Sequence, residues 1–230
     1  MKWKRYGITL SRIKEDEIEL VRCWRNDPKI SKNMIYRGYI TPEQQLKWFH
    51  SINNNNNSYY IIEYKNEKIG LINNKNIVTK DKSSEAGIFI WNDTYDFAPL
   101  LASVLLCEIG FYIMKGGDSY AKVLKRNKRA IEYNKIIGYD VIENKPRSRY
   151  IKIKLTKENF KNRTEKLRNT IMINTNSNGE ISLELEKHDY ESGLAQIMEN
   201  QYVFPIILED PAVKCVEYNG GKIYSGILII

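Results

Sequence analysis

The chain has 230 residues, 42% of them hydrophobic and 28% charged, so it can build a core and is neither a disordered tail nor a membrane protein. No apolar run approaches the roughly 20 residues that span a bilayer, and the basic start Met1 to Tyr6 leads into a strand pattern instead of a signal core, so a cytoplasmic location is expected. The net charge of +8 is uneven: residues 171–230 hold three Lys/Arg against nine Asp/Glu, and residues 1–170 hold 33 against 19, which suits an anionic small-molecule partner for the first part. The basic residues form no dense stripe interleaved with aromatics, so no nucleic-acid partner is expected.

Tyr6 to Arg12 alternates as a strand, and Glu15 to Arg25 carries apolar residues at helical spacing. Asp27-Pro28 ends that helix. Thr41-Pro42-Glu43-Gln44 opens the next one, with Thr41 as cap, Pro42 in the first turn and Gln44 closing a capping box. The asparagine run Asn53 to Asn57 is a loop. Tyr59 to Tyr64, Lys68 to Ile77 and Glu85 to Trp91 read as strands, Phe97 to Met114 as an apolar helix, Ser119 to Leu124 as a strand, and Asn127 to Ile137 as a helix with Gly138 at its C-cap. Asp140 to Asn144 and Arg149 to Leu155 complete an antiparallel pair.

The charged stretch Glu158 to Asn169 reads as a linker helix with almost no core residues. Beyond it, Ile171 to Ile173, Ile181 to Leu185, Val203 to Leu208 and Lys222 to Ile230 resemble short strands, with Tyr190 to Asn200 helical. Three cysteines, Cys23, Cys107 and Cys215, and two histidines, His50 and His188, make neither a disulfide framework nor a zinc pattern; buried free thiols and no metal site are expected.

This order of elements, with Cys23-Trp24-Arg25-Asn26-Asp27-Pro28, Tyr39 to Phe49, Lys68-Ile69-Gly70, Glu85-Ala86-Gly87-Ile88-Phe89-Ile90 and Asn127-Lys128-Arg129-Ala130-Ile131, resembles the GNAT acetyltransferase superfamily. Within it the sequence is most similar to enzymes that N-acetylate nucleotide-linked amino sugars, as in pseudaminic acid biosynthesis. The resemblance covers about residues 5–155 and implies an α/β (α+β) fold: a mostly antiparallel sheet flanked by helices. The expected division is an acetyltransferase domain over 1–157, a linker helix over 158–170, and a small, mainly β extension over 171–230, which offers a surface for homodimerisation.

The implied reaction is acetyl transfer from acetyl-CoA to a primary amine of a nucleotide sugar. The resemblance places the thioester against the strand of Ile88, Phe89 and Ile90, with Phe97, Ala98, Leu100, Asn127 and Ala130 also on the cofactor. Such chemistry needs an acceptor for the amine proton, a site for the oxyanion and a donor for the leaving thiolate. Glu85, at the start of that strand, is the candidate base. Many relatives carry the acidic tyrosine where Asn134 stands here, so Tyr133, one residue earlier, is the weaker candidate acid. The acceptor side is drawn from Arg25, Met34, Tyr36, Trp48, Phe49 and His50, with Lys75 and Trp91 facing them from strands. No glycine lies between Gly87 and Gly110, where the superfamily places its diphosphate loop, and Asp93 and Asp96 stand there instead. Two alternatives stay open on sequence grounds: a non-catalytic domain of this fold that binds a ligand or partner, and a protein N-terminal acetyltransferase.

Overall fold

Tyr6 and Gly7 both have positive φ, 58° and 73°, and turn the chain between two strands, β1 (Lys2–Arg5) and β2 (Ile8–Arg12). Two consecutive residues of this kind make the hairpin turn whose twist matches its strands. The alternation expected from Tyr6 onward is therefore β2, and β1 is an additional strand. The computed structural model describes residues 1–78, 80–203, 212–228 and 230.

A 3₁₀ turn, Glu15–Glu17, leads into α1 (Ile18–Asn26); α2 (Pro28–Ser31) is a single turn capped by the Asp27 carboxylate, and α3 (Pro42–Ile52) has the expected Thr41/Gln44 capping box. The strands β3 (Ser58–Tyr64), β4 (Glu67–Lys75) and β5 (Ser84–Ile90) follow. Then come α4 (Ala98–Glu108), prolonged by a π-helical turn over Ile109–Ile113, β6 (Ser119–Leu124), α5 (Lys128–Ile137), β7 (Asp140–Glu143) and β8 (Tyr150–Leu155). Gly138 closes α5 at φ 105°, in the left-handed region a side chain would resist.

The remaining elements are α6 (Lys157–Asn174), β9 (Glu180–Leu185), α7 (Lys187–Glu191), α8 (Leu194–Met198), a π-helical turn over Glu199–Val203, β10 (Lys214–Tyr218) and β11 (Gly221–Ile227). The eleven strands among the described residues form one mixed sheet in the order β10-β11-β9-β1-β2-β3-β4-β5-β6-β8-β7, antiparallel except between β5 and β6. The extension thus continues the sheet through β1: Trp3 lies opposite Leu183, and Leu183 opposite Tyr224. No helix among the described residues is long and apolar enough to cross a membrane.

Three expectations for the last third differ from the structure. Ile171 to Ile173 is the last turn of α6, not a strand, because the helical spacing of Phe160, Thr164, Arg168 and Ile171 gives the helix an inward face that runs past the charged stretch. That stretch is not core-free: Phe160 is fully buried and packs against Phe111 and Tyr112 at ring distances of 5.8 and 6.5 Å. In the span read as a strand from Val203 to Leu208, Val203 belongs to a π-helical turn and the rest lies outside the described residues.

The core has two parts, one on each face of the sheet. The larger cluster joins Leu101, Leu105 and Ile109 of α4 and its extension to Leu10, Tyr60, Val123 and Phe160, and it includes Leu183, Met198 and Tyr224. The smaller one joins Ile18, Val21 and Phe49 to Ile61 and Leu71 under α1 and α3. Truncating Phe160 to Ala removes a buried ring from the middle of the larger cluster. A loss of about 3–5 kcal/mol in unfolding free energy is expected, read as a lower midpoint in urea at unchanged slope.

Candidate active site

The sheet forks between β5 and β6. These strands pair only at Ser84↔Ser119 and Glu85↔Tyr120, while β5 stays paired with β4 as far as Gly70↔Ile90. From Ala86 to Ile90 one edge of β5 therefore has no strand partner among the described residues, and this edge lines a cleft of about 1620 Å³. A strand edge with open N–H and C=O groups accepts an extended, amide-bearing chain, as a further strand would.

Glu85 stands at the fork. Its carboxylate is half-buried, with Oε1 3.1 Å from Lys75 Nζ and Oε2 3.5 Å from Lys122 Nζ. Lys75 comes from the β4 register and Lys122 from β6, so the fork is tied across three strands. Asn73 adds a donated bond from Nδ2 to the Glu85 carbonyl at 3.4 Å.

On the α4 side, the Tyr133 hydroxyl donates to the Pro99 carbonyl at 2.8 Å and lies 2.6 Å from Ser103 Oγ. Burial pushes this phenol well above its ordinary range. Burial also pushes the Cys107 thiol, on the same wall, up to about 12. Asn127 caps α5, its Oδ1 accepting from the Ala130 N–H at 3.1 Å, and Asn134 turns its amide to the Ala130 carbonyl at 2.7 Å.

The opposite side is aromatic and basic. Trp24 and Trp91 lie parallel within 5°, their ring centroids 6.2 Å apart; Trp48 meets Tyr59 edge-on at 5.2 Å, and the Arg25 guanidinium lies 5.6 Å over the Phe89 ring. Desolvation lowers Arg25 from the usual arginine range. Seven basic residues line the cleft against four acidic ones, and one of those acids, Glu85, is already held by two lysines.

Of the residues singled out in the sequence, Glu85, Tyr133, Ile88, Phe89, Ile90, Asn127, Ala130, Arg25, Met34, Tyr36, Trp48, Lys75 and Trp91 line this one cleft. Five lie off it. Phe49 is buried under α3, His50 is exposed on that helix, Phe97 is 75% exposed, Ala98 is buried in the larger cluster, and Leu100 packs against that cluster. Trp24, Tyr59, Ser103 and Lys122 line the cleft without having been singled out. The expectation of three buried thiols also fails, since Cys23 and Cys215 are exposed. His188 is not isolated: it meets Glu186 and Asp189 with ligand atoms within 4.8 Å, but Glu186 already pairs with Lys2 and Lys14, so the group is an ion-pair cluster.

The acyl-pantetheine end of acetyl-CoA fits the fork, whose open edge can pair with amide groups. Where a glycine loop would offer its amides to the diphosphate, this chain has a different surface. At the start of α4 the Ala98 N–H bonds the Tyr95 carbonyl, Pro99 has no N–H, and Leu101 bonds Phe97, which leaves the Leu100 amide, while Asp93 and Asp96 line the cleft.

No family model matches the chain. Acetyltransferase PseH of Campylobacter jejuni serotype O:2 is 30% identical over 121 residues, 52% of this chain and 74% of that protein; PseH of serotype O:23/36 is 28% identical over the same shares. Among solved structures, FdhC, a nucleotide-linked sugar GNAT, superposes with a TM-score of 0.62 at 20% identity, over 73% of this chain and 97% of its own. A Vibrio cholerae spermidine N-acetyltransferase in complex with CoA and spermine gives 0.59 at 18%, over 69% and 100%, and C. jejuni PseH gives 0.51 at 20%, over 66% and 99%. This chain therefore belongs to the family of the acetyltransferase PseH, and the likeness to FdhC and to C. jejuni PseH shows that it has the GNAT fold.

Proposed function

We propose that the protein transfers the acetyl group of acetyl-CoA to the primary amine of a nucleotide-linked amino sugar. The observation that carries the acceptor class is the charge and aromatic content of the cleft. A polyamine would need carboxylates to hold its ammonium groups, whereas this wall offers Arg25, Lys29 and Lys32 beside Trp24, Trp48 and Trp91. Aromatic faces suit a base or sugar ring, and guanidinium and ammonium groups suit phosphate. Kinship with PseH supports the same choice.

Acetyl-CoA supplies an activated acyl carbon and a thiolate leaving group. The unpaired N–H groups of β5 between Ala86 and Ile90 would meet the carbonyl oxygen as negative charge develops there, which is where fixed donors act most strongly. Glu85 would take the proton released as the amine nitrogen bonds the acyl carbon and the C–S bond breaks, directly or through one water. Lys75 and Lys122 hold its two oxygens in place until then. Asn127 would orient the pantetheine arm while capping α5.

Tyr133 has its hydroxyl bonded to Pro99 and Ser103, and burial resists its ionisation, so its contribution to thiolate protonation is small. Tyr133→Phe should lower turnover by less than about tenfold, below the usual effect of removing a positioned general acid. Among the described residues β10 is an edge strand with Val216 and Tyr218 exposed; this is the surface on which a homodimer would form, and light scattering reads it. Calorimetric titration with acetyl-CoA tests the enzyme reading: saturable binding that weakens as salt rises is expected, and no binding at millimolar donor would favour the non-catalytic alternative.

A further inference from the structure

Three segments far apart in sequence meet beside the aromatic wall: the stretch after α2 (residues 32–41), the end of β6 at Lys125 and Arg126, and the β7–β8 turn (residues 144–149). Hydrogen bonds tie them together. The Arg126 guanidinium donates to the Lys32 carbonyl, Lys125 Nζ to the Lys145 carbonyl at 2.6 Å, and the Lys125 backbone N–H to the Arg149 carbonyl at 3.0 Å. Arg37 Nε donates to the Met34 carbonyl at 3.2 Å.

This lacing gathers Arg37, Arg126 and Arg149. Among the described residues none of the three has a carboxylate within ion-pair distance; Arg37 and Arg126 donate to backbone carbonyls instead. Desolvation, and then repulsion from Arg126 and Arg149, lowers Arg37 from the usual arginine range. Like charges held together in the free protein are relieved by an anion, and a guanidinium presents paired donors that match phosphate oxygens.

We propose that Arg37, Arg126 and Arg149 form the binding site for the diphosphate of a nucleoside-diphosphate-linked acceptor. The patch belongs to the acceptor and not the donor because it is built on the Lys32–Arg37 loop, whose Met34 and Tyr36 line the cleft and whose continuation is held to α1, the helix of Trp24, by bonds from Arg22 and Asn26 to the Ile40 carbonyl. The α4 start packs on the other face of the sheet. This assignment rests on the acetyl-transfer reading above and adds a named set of residues to it.

The test compares the native chain with a variant carrying Arg37→Ala, Arg126→Ala and Arg149→Ala, titrated at low salt with acetyl-CoA and separately with UDP, ADP, GDP and CDP. At least one nucleoside diphosphate should bind the native chain saturably, more tightly than its monophosphate. The triple variant should lose that affinity by at least about tenfold, as expected when charge-assisted bonds to phosphate are removed. Its acetyl-CoA affinity should stay within about twofold, and its melting temperature should change little, because relief of the mutual repulsion offsets the loss of the exposed bonds to the Lys32 and Met34 carbonyls. Unchanged nucleoside-diphosphate affinity in the variant would overturn the proposal, as would no such binding by a native chain that does bind acetyl-CoA. An equal loss of acetyl-CoA affinity would assign the patch to the donor. Arginine-dependent diphosphate binding without any acetyl-CoA binding would instead remove the acetyl-transfer reading and leave the patch as an anion site.

Discussion

Replacing Glu85 by Gln should reduce turnover by about 10²–10⁴-fold at neutral pH, the range for loss of a positioned general base, while acetyl-CoA affinity stays near that of the native chain. The substitution is nearly isosteric and sits where β5 and β6 last pair, so the fork itself should persist. Two ammonium groups, from Lys75 and Lys122, lose their carboxylate, but both are partly exposed and can be hydrated, which limits the structural cost. Pre-steady-state mixing separates the effects: the chemical step slows while donor binding does not. A rate within about twofold of the native one would transfer the proton to another group or to bulk water.

Cutting the chain after Glu165 should abolish a soluble, cooperatively folding protein. The deletion removes Ile171, Ile181, Leu183, Leu185, Met198 and Tyr224 from the larger core cluster and bares the whole of β1 as a new sheet edge. At about 1.5–3 kcal/mol for each large buried side chain, this burial rivals the roughly 5–15 kcal/mol by which whole domains are stable. The cut also takes away Leu228, whose carbonyl accepts from buried Arg5 at 3.0 Å. Arg5 would keep its contact with Glu108 at 3.3 Å beside the Tyr6 hydroxyl bond of 2.8 Å, in a cluster whose carboxyl burial already raises above its ordinary range. Size-exclusion chromatography and calorimetry check the outcome. A soluble truncated chain of unchanged melting temperature would make residues 171–230 a separable domain.

The contrast between the two ends of the chain shows what sequence carries. The Thr41/Gln44 capping box, the strand Ser119–Leu124 and the Gly138 cap are local devices whose residues bond within a few positions of one another, so spacing suffices to find them. Glu85 was legible as the residue opening its strand. Lys122 was not, because it meets Glu85 only through the β5–β6 register, a pairing across 37 positions. Trp24 reads as core on an amphipathic helix, and its parallel neighbour Trp91 lies three strands further along the chain. Phe49 and His50 illustrate the opposite error: they adjoin Trp48 in sequence, but one faces the smaller core and the other water. The tail was least legible, since its strands join the sheet through β1, which is only four residues long.

The acceptor class is read most directly from the release of free CoA thiol when the protein meets acetyl-CoA with each of three amines: a nucleoside-diphosphate-linked amino sugar, spermidine and a peptide with a free N-terminus. The basic, aromatic wall predicts that the nucleotide sugar is acetylated with the largest kcat/KM, and that the product, resolved by mass spectrometry, carries the acetyl group on its amine. Faster acetylation of spermidine or the peptide, or no thiol release with any amino sugar while one of the others reacts, would contradict it.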